Sequence, residues 1–189
     1  LVRRDIDIFK QMAEYKGVVV FLSITSLNPD LIRVMEPRTS LPVLRLKAVE
    51  ELAKAGVPVG VNVAPLIPGL TDHELPAILK AAAEAGAQFA GYTPVRLPLS
   101  VAPLFEEWLT VNAPDKKNKV LNAVRSIRDG KLNEADFGSR MRGEGVRADA
   151  LHEVFDLFTR KYGLKRMGQV EVSSDSFRKV TNQLSFFDE

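Results

Sequence analysis

Cysteine is absent from this 189-residue chain, and histidine occurs only twice, as His73 and His152. The first absence excludes disulfides and thiolate metal sites built by the chain itself, and the second leaves too few imidazoles for a histidine-based metal centre. No run reaches the ~18 apolar residues that a membrane-spanning helix needs, and no secretory signal pattern is present. Charge of one sign is also scarce: 26 Lys and Arg stand against 24 Asp and Glu, a net charge of +2. That balance does not by itself demand nucleic acid as a partner. These absences predict a cytoplasmic protein with no membrane partner. An initiating Met is missing too. The opening LVRRDIDIFKQMAEYKG enters an amphipathic helix at once, with Ile6, Phe9, Met12 and Ala13 on one face, and so reads as cut from something longer.

What is present is a repeat of helix, glycine and strand. AEYKG precedes VVVFLSIT, ELAKAG precedes VPVGVNVAP, and AAAEAG precedes AQFAGYTPVRLP. Gly17, Gly56 and Gly86 suit the left-handed position after a helix C-terminus. Strands joined by helical crossovers lie parallel, which predicts an α/β fold, either a piece of a barrel or an open doubly wound sheet. Alternation then assigns faces. Val57, Val59, Val61 and Val63 should meet helices, and Gly60, Asn62 and Ala64 should face inward. By the same reasoning Ser23, Thr25, Asn62, Tyr92 and Arg96 are expected to converge near the C-terminal ends of the strands, where parallel folds place ligands.

After Pro98 the pattern becomes helical: VAPLFEEWLTVNAP, KKNKVLNAVRSIRDG and ALHEVFDLFTRKYGL, the last with Leu151, Val154, Phe155 and Phe158 on one face. The division expected is a half-barrel over 1–98, a helical extension over 99–166 and a polar, mobile tail over 167–189, docked only if Phe186 and Phe187 pack. FGSRMRGEG, with Arg140 and Arg142 between glycines, reads either as a ligand-touching loop or as one tied back by salt bridges.

Little here carries chemistry alone. His73 follows Asp72 at a helix start, where Thr71 or Asp72 would cap exposed amides. His152 lies inside an amphipathic helix and reads as structural. Ser23 has no histidine positioned by sequence, which leaves a serine hydrolase unsupported. Arg38 and Arg45 follow the first strand and could pair with a ligand carboxylate or stand as solvated charges.

The joint APLIPGLTDHE is unusually apolar for a strand-to-helix connection. Together with VVVFLSITSLNPDLIRVMEPRTS, VPVGVNV, AGYTPVRLPLSVAPLFEEWL and FGSRMRGEG, it resembles the radical S-adenosylmethionine (SAM) proteins of the spore photoproduct lyase-like branch. The resemblance implies the C-terminal half of a partial (β/α)6 barrel, with the three strands as its fourth to sixth, followed by a helical extension. It implies SAM contacts from Ser23, Thr25, Asn62, Ala64, Pro65, Leu66, Ile67 and Pro68, with Arg38 or Arg45 on the carboxylate, and a substrate-facing set of Tyr92, Arg96, Arg140 and Arg142. Leu66 and Ile67 would lie against the adenine. SAM and a [4Fe-4S] cluster are thereby expected of the full-length parent. Neither is expected on this chain alone, because the family's CxxxCxxC motif has no counterpart here.

The partners expected are the missing N-terminal half, a nucleic-acid substrate and further copies of the chain itself. The competing expectation is a non-catalytic nucleic-acid-binding module using Arg140, Arg142, Arg147, Lys116, Lys117 and Lys119. A third, a phosphate-binding barrel enzyme, lacks the expected Gly-rich turn after a strand.

Overall fold

The computed structural model describes residues 2–133 and 140–177. Helix α1 (Ile6–Glu14) leads into β1 (Val20–Ser23), α2 (Pro29–Met35) and α3 (Pro42–Lys54). Then come β2 (Val59–Leu66), α4 (Leu75–Glu84), β3 (Phe89–Pro94), α5 (Val101–Asn112), α6 (Lys117–Ser126), α7 (Val146–Lys161) and β4 (Lys165–Arg166). The four strands form one parallel sheet in the order β1-β2-β3-β4. This α/β arrangement, with the helices α5 to α7 following, is consistent with a partial (β/α) barrel. Among the described residues, no helix is long and apolar enough to cross a membrane.

Local chemistry explains the boundaries. Asn28 caps α2 by accepting from the amides of Asp30 (2.9 Å) and Leu31 (3.2 Å), with Pro29 in the first turn, where a missing N–H costs nothing. Gly56 and Gly86 take φ of 78° and 92° after α3 and α4, as expected. After α1 the left-handed residue is Lys16, not Gly17.

Register fixes the two faces. Val61 pairs with Ala90 and Val63 with Tyr92, while Asn62 pairs with Gly91 and Ser23 with Asn62. The valine side is fully buried against α3, α4 and α7, in a core that includes Leu52, Ile78, Leu79, Leu151 and Phe155. Each such side chain contributes about 1.5–3 kcal/mol of transfer free energy. On the opposite face Gly60 lies under Phe21 and Phe89; a Cβ there would stand 2.3 Å from the Phe21 ring. A second core joins Ile67, Leu70, Val95 and Leu97 to Leu109 of α5 and Val120, Leu121 and Val124 of α6.

Of the helices after Pro98, α5 and α6 pack on the connections that follow β2 and β3, and α7 shares the main core. Part of the segment expected to be mobile is attached as well: the Ser173 amide donates to the Lys16 carbonyl (3.0 Å), and just before that segment β4 pairs with β3. Phe186 and Phe187 lie outside the described residues, as do Phe137, Gly138 and Ser139 of FGSRMRGEG.

Candidate functional site

The C-terminal ends of β1 and β2 meet a carboxylate that sequence reasoning passed over. Glu36, at the end of α2, accepts hydrogen bonds from Thr25 Oγ1, from Arg45 and from Thr39 Oγ1 (3.1 Å). Arg45 also donates to the carbonyls of Ser23 (2.8 Å) and Ser40 (2.9 Å), and Thr25 to that of Ala64 (3.1 Å). Burial opposes ionisation of Glu36, yet the bonds from Thr25, Arg45 and Thr39 and the Arg45 charge outweigh it and hold its pKa below the ordinary value. This clamp welds β1, β2 and the start of α3 into one rigid rim.

A second carboxylate fastens the apolar joint. Glu74 accepts from Ser26 Oγ (2.6 Å) and the Leu27 amide (2.7 Å), and Ser26 Oγ in turn accepts from the Asn28 amide (2.9 Å). Thr71 does not cap a helix; its hydroxyl accepts from the Ile67 amide (2.9 Å). Asp72 accepts only from the next amide, that of His73 (3.1 Å).

These contacts redistribute the expected SAM-facing set. Ser23 is exposed and adjacent in register to Asn62, and Ala64 and Pro65 are accessible, so these four do lie together on the open rim. Thr25 is 1% exposed and spent on the clamp, and Arg45 is spent on Glu36. Leu66, Ile67 and Pro68 are buried, Leu66 in the main core and Ile67 in the second, so their side chains cannot offer a surface to an adenine in this arrangement. The apolar joint owes its composition to crossing from one core to the other. Arg38 is exposed on the turn after α2.

The substrate-facing set gathers only in part: Tyr92 and Arg142 line one cleft of about 530 Å³, while Arg96 and Arg140 are not among its lining residues. Tyr92 lies on the helix side, its ring 4.9 Å from that of Phe155 and its hydroxyl 3.5 Å from His152 Nδ1. Gly91 and Thr93 take the inward positions instead. The reason is legible in hindsight: small residues face inward on β2, and in AGYTP the small residue is Gly91. Arg96 follows the end of β3, with its Nε buried and without a hydrogen-bond partner among the described residues. Arg140 is tied in through its carbonyl, which accepts from Arg128 (3.0 Å). Arg128 itself, 2% exposed, also donates to the Val95 carbonyl (2.9 Å) and was invisible to sequence reasoning because a buried guanidinium leaves no periodic signal.

The segment running from α1 through most of α4, with the rim inside it, has a counterpart elsewhere. Residues 2–82 match the Radical SAM superfamily. Over that segment the chain is similar to the radical SAM proteins. It is also 32% identical over 117 residues to an uncharacterized protein of Mycobacterium tuberculosis, an alignment covering 61% of this chain and 34% of the relative, and the same holds for an uncharacterized protein of Mycobacterium bovis. An uncharacterized protein of Acidianus two-tailed virus is 36% identical over 69 residues, 36% of this chain and 22% of the relative. The match thus spans about a third of the length of the mycobacterial relatives. No solved structure matches the chain.

Full-length members of that superfamily use SAM and a [4Fe-4S] cluster. The residues here do not fit the cluster: the sequence has no cysteine, and among the described residues no group of three or more His, Asp or Glu side chains could hold a metal ion. At the open rim, Ser23, Asn62 and the Ala64–Pro65 backbone present neutral polar groups.

Proposed function

We propose that this chain supplies the SAM-facing and substrate-facing part of a radical SAM barrel, with the cluster held by residues outside it. The observation that carries the reading is that the superfamily match, residues 2–82, contains the strand ends at which Ser23, Asn62 and Ala64 stand together. The redox chemistry on SAM would be supplied by the cluster, held by residues outside this chain. This chain's own part is to bind and orient: Ser23 and Asn62 toward the polar edges of SAM, the backbone at Ala64 toward the adenine, and Arg38 toward the carboxylate that Arg45 is not free to meet. The outer edge of β1 has no strand partner among the described residues, and there the remaining strands of the barrel, or a second copy in their absence, would pair. Without a cluster the chain alone is inactive. The kinship with the spore photoproduct lyase-like branch and the cytoplasmic setting belong to this reading and rest on the sequence alone.

Titrating SAM into the isotopically labelled chain tests the reading by NMR. Amide shifts should concentrate at Ser23, Asn62 and Ala64 and leave 140–169 unmoved. Millimolar SAM that moves none of the three would sink it.

A second reading, nucleic-acid binding, is favoured by one observation: Lys119 of α6 and Arg147 of α7 line a single cleft of about 460 Å³ together with His73. Affinity for DNA falling steeply with salt in Lys119→Ala and wild type alike, but weaker in the variant, would support it.

A further inference from the structure

The sheet edge away from the rim carries a second, differently built hollow. Because β4 spans only Lys165–Arg166, it covers β3 as far as Ala90 and leaves the edge from Gly91 onward without a strand. α7, the turn at 140–142 and the residues after β4 surround this bare edge and enclose a cleft of about 530 Å³. That is within the range of small-molecule sites. Its polar groups are Arg142, Arg166, Tyr92 and His152, and its apolar walls include Met141 and Met167, 46% and 37% exposed. Two partly exposed methionines facing one hollow provide soft, adaptable surface for an apolar body. Gly91 keeps the floor open: a Cβ there would come 2.9 Å from Met167 Cε.

The polar groups are unequally committed. Arg166 is paired with Asp156, and His152 Nε2 stands 3.6 Å from the same carboxylate oxygen. Arg142 forms no ion pair among the described residues, although it is close enough to act on the Tyr92 hydroxyl. Burial raises the Tyr92 pKa; Arg142 and Arg166 oppose this, while Asp156 and Asp149 reinforce it. The Tyr92 hydroxyl, kept neutral by the raised pKa, lines the same cleft as the Arg142 guanidinium, which has no counter-ion among the described residues. Donor hydroxyl, free guanidinium and a second guanidinium behind them make a receptor for an oxyanion, and charge-assisted bonds of that kind are the strong ones.

We infer that the cleft between β3, α7 and β4 binds a small molecule with an oxyanion head and an apolar body, the head held by Arg142 and Tyr92 with Arg166 and His152 beside it and the body lying between Met141 and Met167. The site adjoins the rim, since Gly91 pairs with Asn62 and a Cβ on it would stand 3.4 Å from Asn62 Oδ1, but the groups it is argued from belong to β3, α7 and the residues around β4 and do not depend on the radical SAM reading. Phosphate and carboxylate heads share this chemistry, and the probes distinguish them.

The test is calorimetric titration of the chain with phenyl phosphate, benzoate, inorganic phosphate and benzyl alcohol. Phenyl phosphate or benzoate should bind at least tenfold more tightly than inorganic phosphate or benzyl alcohol; whichever of the two is tighter identifies the head. Arg142→Ala should weaken that binding at least tenfold and Tyr92→Phe severalfold. Arg147→Ala, in the other cleft, should leave it unchanged. Arg142 is exposed, so its loss should leave thermal unfolding unaltered and the affinity readout interpretable. No saturable binding of either aromatic anion, or binding indifferent to Arg142→Ala, overturns the inference.

Discussion

Replacing Glu36 by Gln isolates the clamp that joins β1, β2 and α3. The amide keeps the shape but removes the charge opposite Arg45, whose side chain is 14% exposed, and turns part of an acceptor into a donor facing Thr25 and Thr39. Stranding one partner of a buried pair costs about 3–5 kcal/mol. Here the cost is smaller, because Arg45 keeps its bonds to the Ser23 and Ser40 carbonyls and neither group is fully dry. About 2 kcal/mol is expected, of the order of a charged hydrogen bond lost. The pH dependence gives the sharper signature. Glu36 has its pKa lowered from 4.5, so its contribution is fully present above that value and fades as pH falls through the folded-state pKa. Urea unfolding at pH 7 should therefore separate wild type from Glu36→Gln by about 2 kcal/mol, and the gap should narrow as the pH is taken below 4. A gap that is the same at pH 7 and at pH 3 would show that the carboxylate's charge contributes nothing and that only shape matters.

The apolar joint gives the next expectation: Ile67→Ala should destabilise the fold by about 2–5 kcal/mol, a core-cavity cost, while leaving SAM-induced amide shifts at Ser23 and Asn62 in place. Loss of those shifts with unchanged stability would return Ile67 to the ligand. Gly60→Ala should cost about 1–3 kcal/mol by overpacking, since the new methyl meets the Phe21 ring at 2.3 Å and the less yielding Phe89 Cβ at 2.9 Å; thermal unfolding no lower than wild type would refute the close approach.

Much of this architecture was legible as periodicity. Three helix-glycine-strand units announced a parallel α/β sheet, and alternation placed the β2 valines against helices and Asn62 inward. β4 was not legible, because two polar residues carry no alternation; it exists only because β3 offers an edge. Tyr92 was placed on the wrong face because side-chain polarity was weighed above the inward position of small residues that β2 already displayed. At the rim, residue type alone singled out Ser23 and Asn62, but Glu74 makes its contacts far away in sequence, with Ser26 and Leu27, and Glu36 meets Thr25 and Arg45 only because the chain folds back around α2, a pairing that leaves no periodic trace. Thr25 and Arg45 read as ligand groups from the sequence because no periodicity reveals that Glu36 already satisfies them.

The shortness of β4 also has a temporal side. Its pairing with β3 joins Phe89 to Lys165, whereas β2 meets β3 at Gly60 and Phe89. Closing a loop roughly two and a half times longer costs about 0.8 kcal/mol more in chain entropy, and beyond the docking of α7 the strand itself adds two residue pairs and the Arg166–Asp156 contact. The strand should therefore be the last piece of the sheet to settle and the first to lift away, carrying Arg166 and Met167 with it. The hollow beside Tyr92 is then a feature of the finished fold alone, and a molecule seated in it would act as a fastener for the chain's least secured strand.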